Sequence, residues 1–226
     1  MTRILLRLVL VVVMVAGGAP AAVAQAPSGE EIMRRAHLAM YYPGEDMRAR
    51  VTMRLVSKDG GERVREMTMS RRDIKEGGEQ RYFIFFHRPP DVRDMAFLVW
   101  KYPGRDDDRW LYVPALKLVR RIAASDKHTS FVGSDFSRKL SWIDRATWLP
   151  LKEEYYDRRG ELARVFTADE LKEIQGFWTV TRRVMKNVQT GHRTEVAWDD
   201  VRYNLKLAPD LFSERALRAP PAELIR

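Results

Sequence analysis

Arg50-Val-Thr-Met-Arg-Leu55 alternates polar and apolar residues, Asp59-Gly60-Gly61 follows, and Val64-Arg-Glu-Met-Thr-Met-Ser70 resumes the alternation. Successive side chains of a strand face opposite sides of a sheet, and Asp-Gly supplies the positive-φ backbone of a tight turn. Residues 50–70 therefore read as an antiparallel hairpin. Working outward, the same pattern predicts strands over 80–87, 95–102, 110–113, 116–122, 140–143, 149–156, 161–168, 178–188 and 193–201. Turn residues separate them: Arg88-Pro-Pro-Asp91, Pro103-Gly-Arg-Asp106, Asp157-Arg-Arg-Gly160, Gln175-Gly176 and Gln189-Thr-Gly191. Upstream, Ser28 and Glu31 have capping-box spacing before Ile32, Met33, Ala36, Ala39 and Met40. This predicts a helix of about three turns that Pro43-Gly44 stops. A second helical piece is expected over 209–216, opened by Pro209, with a frayed tail from Ala219. Many short strands, no βαβ rhythm and one N-terminal helix predict a mainly β fold with few helices, a large antiparallel sheet that is curled or closed.

The N-terminus has a different character. Arg3 and Arg7 precede an apolar run from Leu8 to Ala16, and small residues end in Ala22-Val23-Ala24. That order predicts an export signal over 1–24, and the run is too short for a membrane-spanning helix of roughly 20 residues. An uncleaved anchor is the alternative. Removal of 24 of the 226 residues would leave 202, expected as a single β domain over 25–226, soluble in the periplasm. Two of the 40 basic residues and none of the 31 acidic ones lie in the leader, so the remainder carries +7. The bases are spread along alternating strands, which suggests a mixed surface or a transient contact with anionic membranes, and nucleic acid is not an expected partner. With no cysteine, thiol chemistry, thiolate metal sites and acylation of a lipoprotein cysteine are excluded.

Candidates for catalysis are weak. His37, His87, His128 and His192 are far apart with no second ligand at metal spacing, and Asp106-Asp107-Asp108 lacks the pattern of a calcium loop. Val132-Gly133-Ser134-Asp135-Phe136 is superficially like a nucleophile elbow, but no helix follows it. Neither a catalytic residue, a metal nor a cofactor is expected. What the strands do carry is aromatic residues, among them Tyr82, Phe83, Phe85, Phe86, Phe97, Trp100, Trp110, Tyr112, Phe166, Trp178 and Trp198. Such residues either close a core or line a cavity for an apolar ligand, and alternation alone does not say which face is concave.

Several longer stretches carry a further signal: Pro90-Asp-Val-Arg-Asp-Met-Ala-Phe-Leu-Val-Trp100, Asp107-Asp-Arg-Trp-Leu-Tyr-Val-Pro-Ala-Leu-Lys117, Val119-Arg-Arg-Ile122, Ser130-Phe-Val-Gly-Ser-Asp-Phe136, Leu149-Pro-Leu-Lys-Glu-Glu-Tyr-Tyr-Asp157 and Lys186-Asn-Val-Gln-Thr-Gly-His192. In these the chain resembles the LolA-like family of periplasmic proteins, described as outer-membrane lipoprotein-sorting proteins. The resemblance implies a curved antiparallel sheet forming an incomplete β-barrel, a half-barrel closed by helices and a loop, whose hydrophobic hollow holds acyl chains. It also implies a carrier of lipid or lipoprotein toward the outer membrane. The alternative it leaves open is a lipid-sensing or docking module that partners an inner-membrane exporter without catalysis. The expected ligand-binding residues are Phe83, Phe85, Phe97, Trp100, Trp110 and Tyr112. One departure from the family pattern follows Ser137: a segment of about 30 to 40 residues, a hairpin with its connections, is absent. Its loss predicts either a smaller rejoined sheet or open edges.

Overall fold

The computed structural model describes residues 26–122 and 137–225. Helix α1 spans Gly29–Tyr41. Eleven strands follow: β1 (Asp46–Val56), β2 (Glu62–Asp73), β3 (Gln80–Arg88), β4 (Ala96–Lys101), β5 (Asp108–Val113), β6 (Leu118–Ile122), β7 (Arg138–Ile143), β8 (Pro150–Tyr156), β9 (Leu162–Ile174), β10 (Phe177–Asn187) and β11 (Arg193–Tyr203). Short helices α2 (Glu214–Arg218) and α3 (Ala222–Ile225) lie in the C-terminal segment. Each expected strand is present, and β9 runs on to Ile174 because the two-residue Gln175-Gly176 turn, both at positive φ, continues its ladder into β10.

All strands belong to one sheet in the order β6-β5-β4-β3-β2-β1-β11-β10-β9-β8-β7, and neighbours are antiparallel. Two meanders, β1 to β6 and β7 to β11, are joined by the pairing of β1 with β11. The expected curved, incomplete barrel is corrected here: the sheet is open, neither closed nor strongly curled, and β6 and β7 are its two edges. Closure would require those edges to meet in a ladder with a matching stagger, and among the described residues each has a single strand partner.

Register across the seam depends on one bulge. Between Met47↔Tyr203 and Val51↔Trp198, β11 uses one residue more than β1, with Asp200 at φ 53°. The extra residue brings Tyr203 and Trp198 onto the same face as Met47 and Val51; without it, one of the two rings would point to the other side.

The two faces are covered differently. On one, Phe83, Ala96, Leu98 and Trp110 pack against Leu207, Phe212, Ala216, Leu217 and Leu224 of the C-terminal segment. The buried Asp46 carboxylate accepts hydrogen bonds from Leu205 N at 2.6 Å and Leu207 N at 2.7 Å, while Ser70 Oγ donates to Leu224 O at 2.9 Å and Thr68 Oγ1 to Ile225 O at 3.0 Å. The expected frayed tail from Ala219 is therefore corrected: Leu224 is fully buried and α3 is pinned to β2.

The opposite face carries Met47, Ala49, Val51, Met67, Val201 and Tyr203, and α1 lies over it. Ser28 caps α1 by accepting from Glu31 N at 3.2 Å, but Glu31 turns its carboxylate to Arg34 and Arg35 rather than back to the cap. The C-terminal end of α1 is fixed by Arg71, which donates to the carbonyls of Tyr41, Pro43 and Gly44, and by Gln80 Nε2, which donates to Tyr41 O. Gly44, at φ +66°, lies where a Cβ would stand 2.9 Å from Asn204 Oδ1. Any other residue would be strained and crowded at this turn from helix into sheet. Among the described residues, no helix is long and apolar enough to cross a membrane.

Candidate ligand-binding site

The aromatic residues singled out in the sequence divide between the faces. Phe83 pairs with Leu98, Phe85 with Ala96, Leu98 with Trp110 and Ala96 with Tyr112. Phe83, Phe85, Trp100, Trp110 and Tyr112 thus share the face closed by the C-terminal segment. Phe83 is fully buried there, Trp100 and Trp110 stack edge to face at 5.0 Å, and Trp100 Nε1 donates to Phe212 O at 3.0 Å. Phe97 falls on the opposite face, between Ile84 and Leu111, because it is one residue out of phase with Leu98.

On that opposite face a cavity of about 190 Å³ lies beneath α1. Ala39, Met40, Tyr41 and Pro43 form its roof. Its floor is built from five strands: Met47 of β1, Met69 and Arg71 of β2, Tyr82 of β3, Trp178, Thr179 and Val180 of β10, and Trp198 and Tyr203 of β11. Arg183 of β10 and Leu149 before β8 close its side. Strand phase explains the convergence: Met69 pairs with Ile84, Arg71 with Tyr82, and Arg183 with Val196, so these positions share the face of Trp198. The row Met69, Ile84, Phe97 and Leu111 runs from the cavity across β2 to β5 as half-buried apolar surface.

Two guanidinium groups enter this apolar lining. Arg71 is held by three backbone carbonyls and lies 3.3 Å from Asp73. Burial pushes the Asp73 carboxyl up against the opposing pull of Arg71. Arg183 stacks on the Trp198 ring at 5.1 Å, and burial pushes its pKa down from the ordinary arginine value. Tyr82 and Tyr203 have phenols pushed up by burial, with a Thr179 hydrogen bond opposing the effect at Tyr203. At the helix, burial and then Lys101 and Lys139 push the His37 imidazole down. Of the lining residues, Tyr82, Trp178 and Trp198 stand out in the sequence as strand aromatics, whereas Arg71, Arg183, Met47, Met69 and Tyr203 do not. The available clue was the phase of Arg183 with Met185, which puts a cation on a strand's apolar side.

The remaining candidates are placed plainly. Asp107 and Asp108 pair with Arg109 and with Arg105 and Arg121, and among the described residues no acidic or histidine cluster is arranged to hold a metal. His87 shares a 2.8 Å hydrogen bond with Thr68, His37 packs on Tyr41 and Tyr42, and His192 is exposed. His128 and the segment around Ser134 lie outside the described residues.

Comparison with known proteins gives matches at the level of family and fold. A family model described as “Uncharacterized protein” matches residues 78–139 and 136–219. A putative outer membrane lipoprotein-sorting protein domain from Vibrio parahaemolyticus is 26% identical, with a TM-score of 0.74 over 83% of this chain and 97% of that one. A DUF1329 family protein from Desulfovibrio piger is 25% identical, with a TM-score of 0.73 over 82% and 95%. A LolA superfamily protein from Nitrosomonas europaea, 15% identical with a TM-score of 0.62 over 84% and 99%, shares the fold. The curated proteins give no match.

Proposed function

Because this chain belongs to the family whose model spans residues 78–139 and 136–219, within the broad LolA-like superfamily, we propose that it is a periplasmic, non-enzymatic carrier of lipid or lipoprotein acyl chains. The observation that carries this reading is the apolar cavity between α1 and the sheet, continued by the half-buried row Ile84, Phe97 and Leu111. Likeness to the lipoprotein-sorting domain from Vibrio supports it.

The size of the cavity sets the strength of binding. A cavity of about 150 Å³ holds a benzene, so 190 Å³ takes six or seven methylene-sized groups of a chain. At about 0.8 kcal/mol each that is about 5 kcal/mol, a dissociation constant of order 0.2 mM before any contribution from the open face. A cargo held this way can be passed on, whereas complete burial of several 16-carbon chains, at about 12 kcal/mol each, could not be reversed. Phe97 extends the bound chain's path. Phe83, Phe85, Trp100, Trp110 and Tyr112 would reach cargo only if residues 205–225 moved away.

The test is native mass spectrometry of the exported chain, purified from a bacterial periplasm without detergent. A monomer with added mass that dissociates as an acyl-chain lipid or lipoprotein is expected, and Met69→Asp with Phe97→Asp should abolish it. An unliganded wild-type monomer that also takes up no added acyl ligand would overturn the carrier reading.

One observation favours a second reading, a docking module for an inner-membrane exporter. Edge strand β7 exposes Leu140 and Trp142, and the other edge exposes Leu118 beside Leu116. Edges of this kind accept a partner's strand. Envelope crosslinking from position 142 to a membrane protein, in a chain that carries no lipid, would support it.

A further inference from the structure

The cavity under α1 is apolar in most of its lining, yet two donor groups at it, the Arg183 guanidinium and Trp198 Nε1, lack acceptors. Arg183 has no hydrogen bond or ion pair among the described residues; its one defined contact is the Trp198 ring. Trp198 Nε1 is buried without a hydrogen-bond partner. Arg71, by contrast, has its Nε 3.3 Å from the Asp73 carboxylate and three carbonyls on its other nitrogens. Arg183 has no such counterweight: the groups that influence it electrostatically are the phenols of Tyr41 and Tyr82, and no carboxylate is among them. A half-buried cation in an apolar lining and a buried N–H without acceptors are both costly, and both become favourable when one anion fills the space between them.

We infer that this cavity receives the anionic head of a single-chain amphiphile, a carboxylate or a phosphate, on Arg183 and Trp198. The inference rests on the lipid-carrier reading and narrows it to one class of cargo. A guanidinium offers two parallel N–H groups that match two oxygens of a carboxylate or phosphate, and stacking on an indole fixes the plane in which they point. A neutral head, such as an alcohol, could accept one hydrogen bond but would leave the charge uncompensated. The volume also selects: at 190 Å³ the cavity takes a head with the first few carbons and not the body of a diacyl lipid. The rest of a single chain has a path from Met69 over Ile84 to Phe97.

Titration calorimetry of the exported, delipidated protein with dodecanoate, dodecyl phosphate and dodecanol tests this, with acetate and inorganic phosphate as tail-free controls. The anionic amphiphiles should bind at least about ten-fold more tightly than dodecanol, the discrimination a charged hydrogen-bonded pair supplies. Arg183→Met, matched in length and apolarity to the lining, should remove that preference while dodecanol binding is kept or improved. Arg183→Lys should retain part of it, and an unchanged circular dichroism melting curve would show that both variants fold. Equal affinity for dodecanol and dodecanoate, or a preference that survives Arg183→Met, would overturn the anion site while leaving the carrier reading intact. Binding of none of the three amphiphiles would overturn both. Arg183-dependent binding of free phosphate or acetate as tight as that of the amphiphiles would overturn the amphiphile and assign a small-anion site instead.

Discussion

Asp46 is the residue whose replacement should most clearly separate the C-terminal segment from the sheet. It is fully buried at the start of β1, and its two carboxylate oxygens accept from Leu205 N at 2.6 Å and Leu207 N at 2.7 Å, with Arg72 Nη1 3.7 Å away. Asp46→Ala orphans two buried backbone donors and leaves Arg72 without its counter-ion. At about 1.5–3 kcal/mol for each hydrogen bond to a charged group, the loss should be about 3–6 kcal/mol, a large part of the total stability of an ordinary domain. Asp46→Asn can still accept one of the two bonds and should lose about half as much. Urea denaturation of the exported chain followed by tryptophan fluorescence gives the free energies. Limited proteolysis should show the segment after Leu207 released first, because Leu217 and Leu224 bury their side chains only while it stays docked. A loss below about 1 kcal/mol for Asp46→Ala, or equal losses for the two variants, would refute the assignment of this carboxylate as the anchor.

Three further outcomes are expected. Glu31 is held at a pKa of about 2 by hydrogen bonds from Arg34 and then Arg35, so its pairing contributes fully above the ordinary value of 4.5 and is lost as pH falls from there toward 2; carboxylate NMR with a midpoint near 4.5 would contradict this. The His37 pKa is pushed below the ordinary 6.5 by burial and then by Lys101 and Lys139, so folding should leave it neutral, and stability should fall as pH drops through 6.5 toward the lower folded value; imidazole NMR showing a raised midpoint would overturn that sign. Gly44→Ala should cost about 1–3 kcal/mol, from positive φ and a Cβ 2.9 Å from Asn204 Oδ1, whereas Gly104→Ala, also at positive φ but with open space around it, should cost only the backbone share; equal thermal shifts for the two would remove the steric part.

Much of this architecture was legible in the residues alone. Period-two alternation and Asp-Gly, Gln-Gly and Pro-Gly turns located all eleven strands, because alternation and positive-φ turn chemistry are local properties that a strand needs wherever it lies. Ser28 announced the start of α1 for the same reason. What these patterns do not carry is which of a strand's two faces is covered, and by what. Phe97 and Leu98 are neighbours in sequence, yet one lies on the face with the cavity and the other is sealed beneath Phe212 and Leu217; the difference is made by a segment more than 100 residues away. Openness of the sheet, the fate of its two edges and the docking of Leu224 belong to the same class, since they follow from how separate strands are ordered and staggered. The cavity is the extreme case. Local sequence made Arg183 an arginine on a strand and Trp198 an aromatic on another, and only the β10–β11 register, the extra residue at Asp200 and the helix above them brought an unpaired cation and an unpaired N–H to one space. Secondary structure is set by neighbours along the chain; the site is set by neighbours across it.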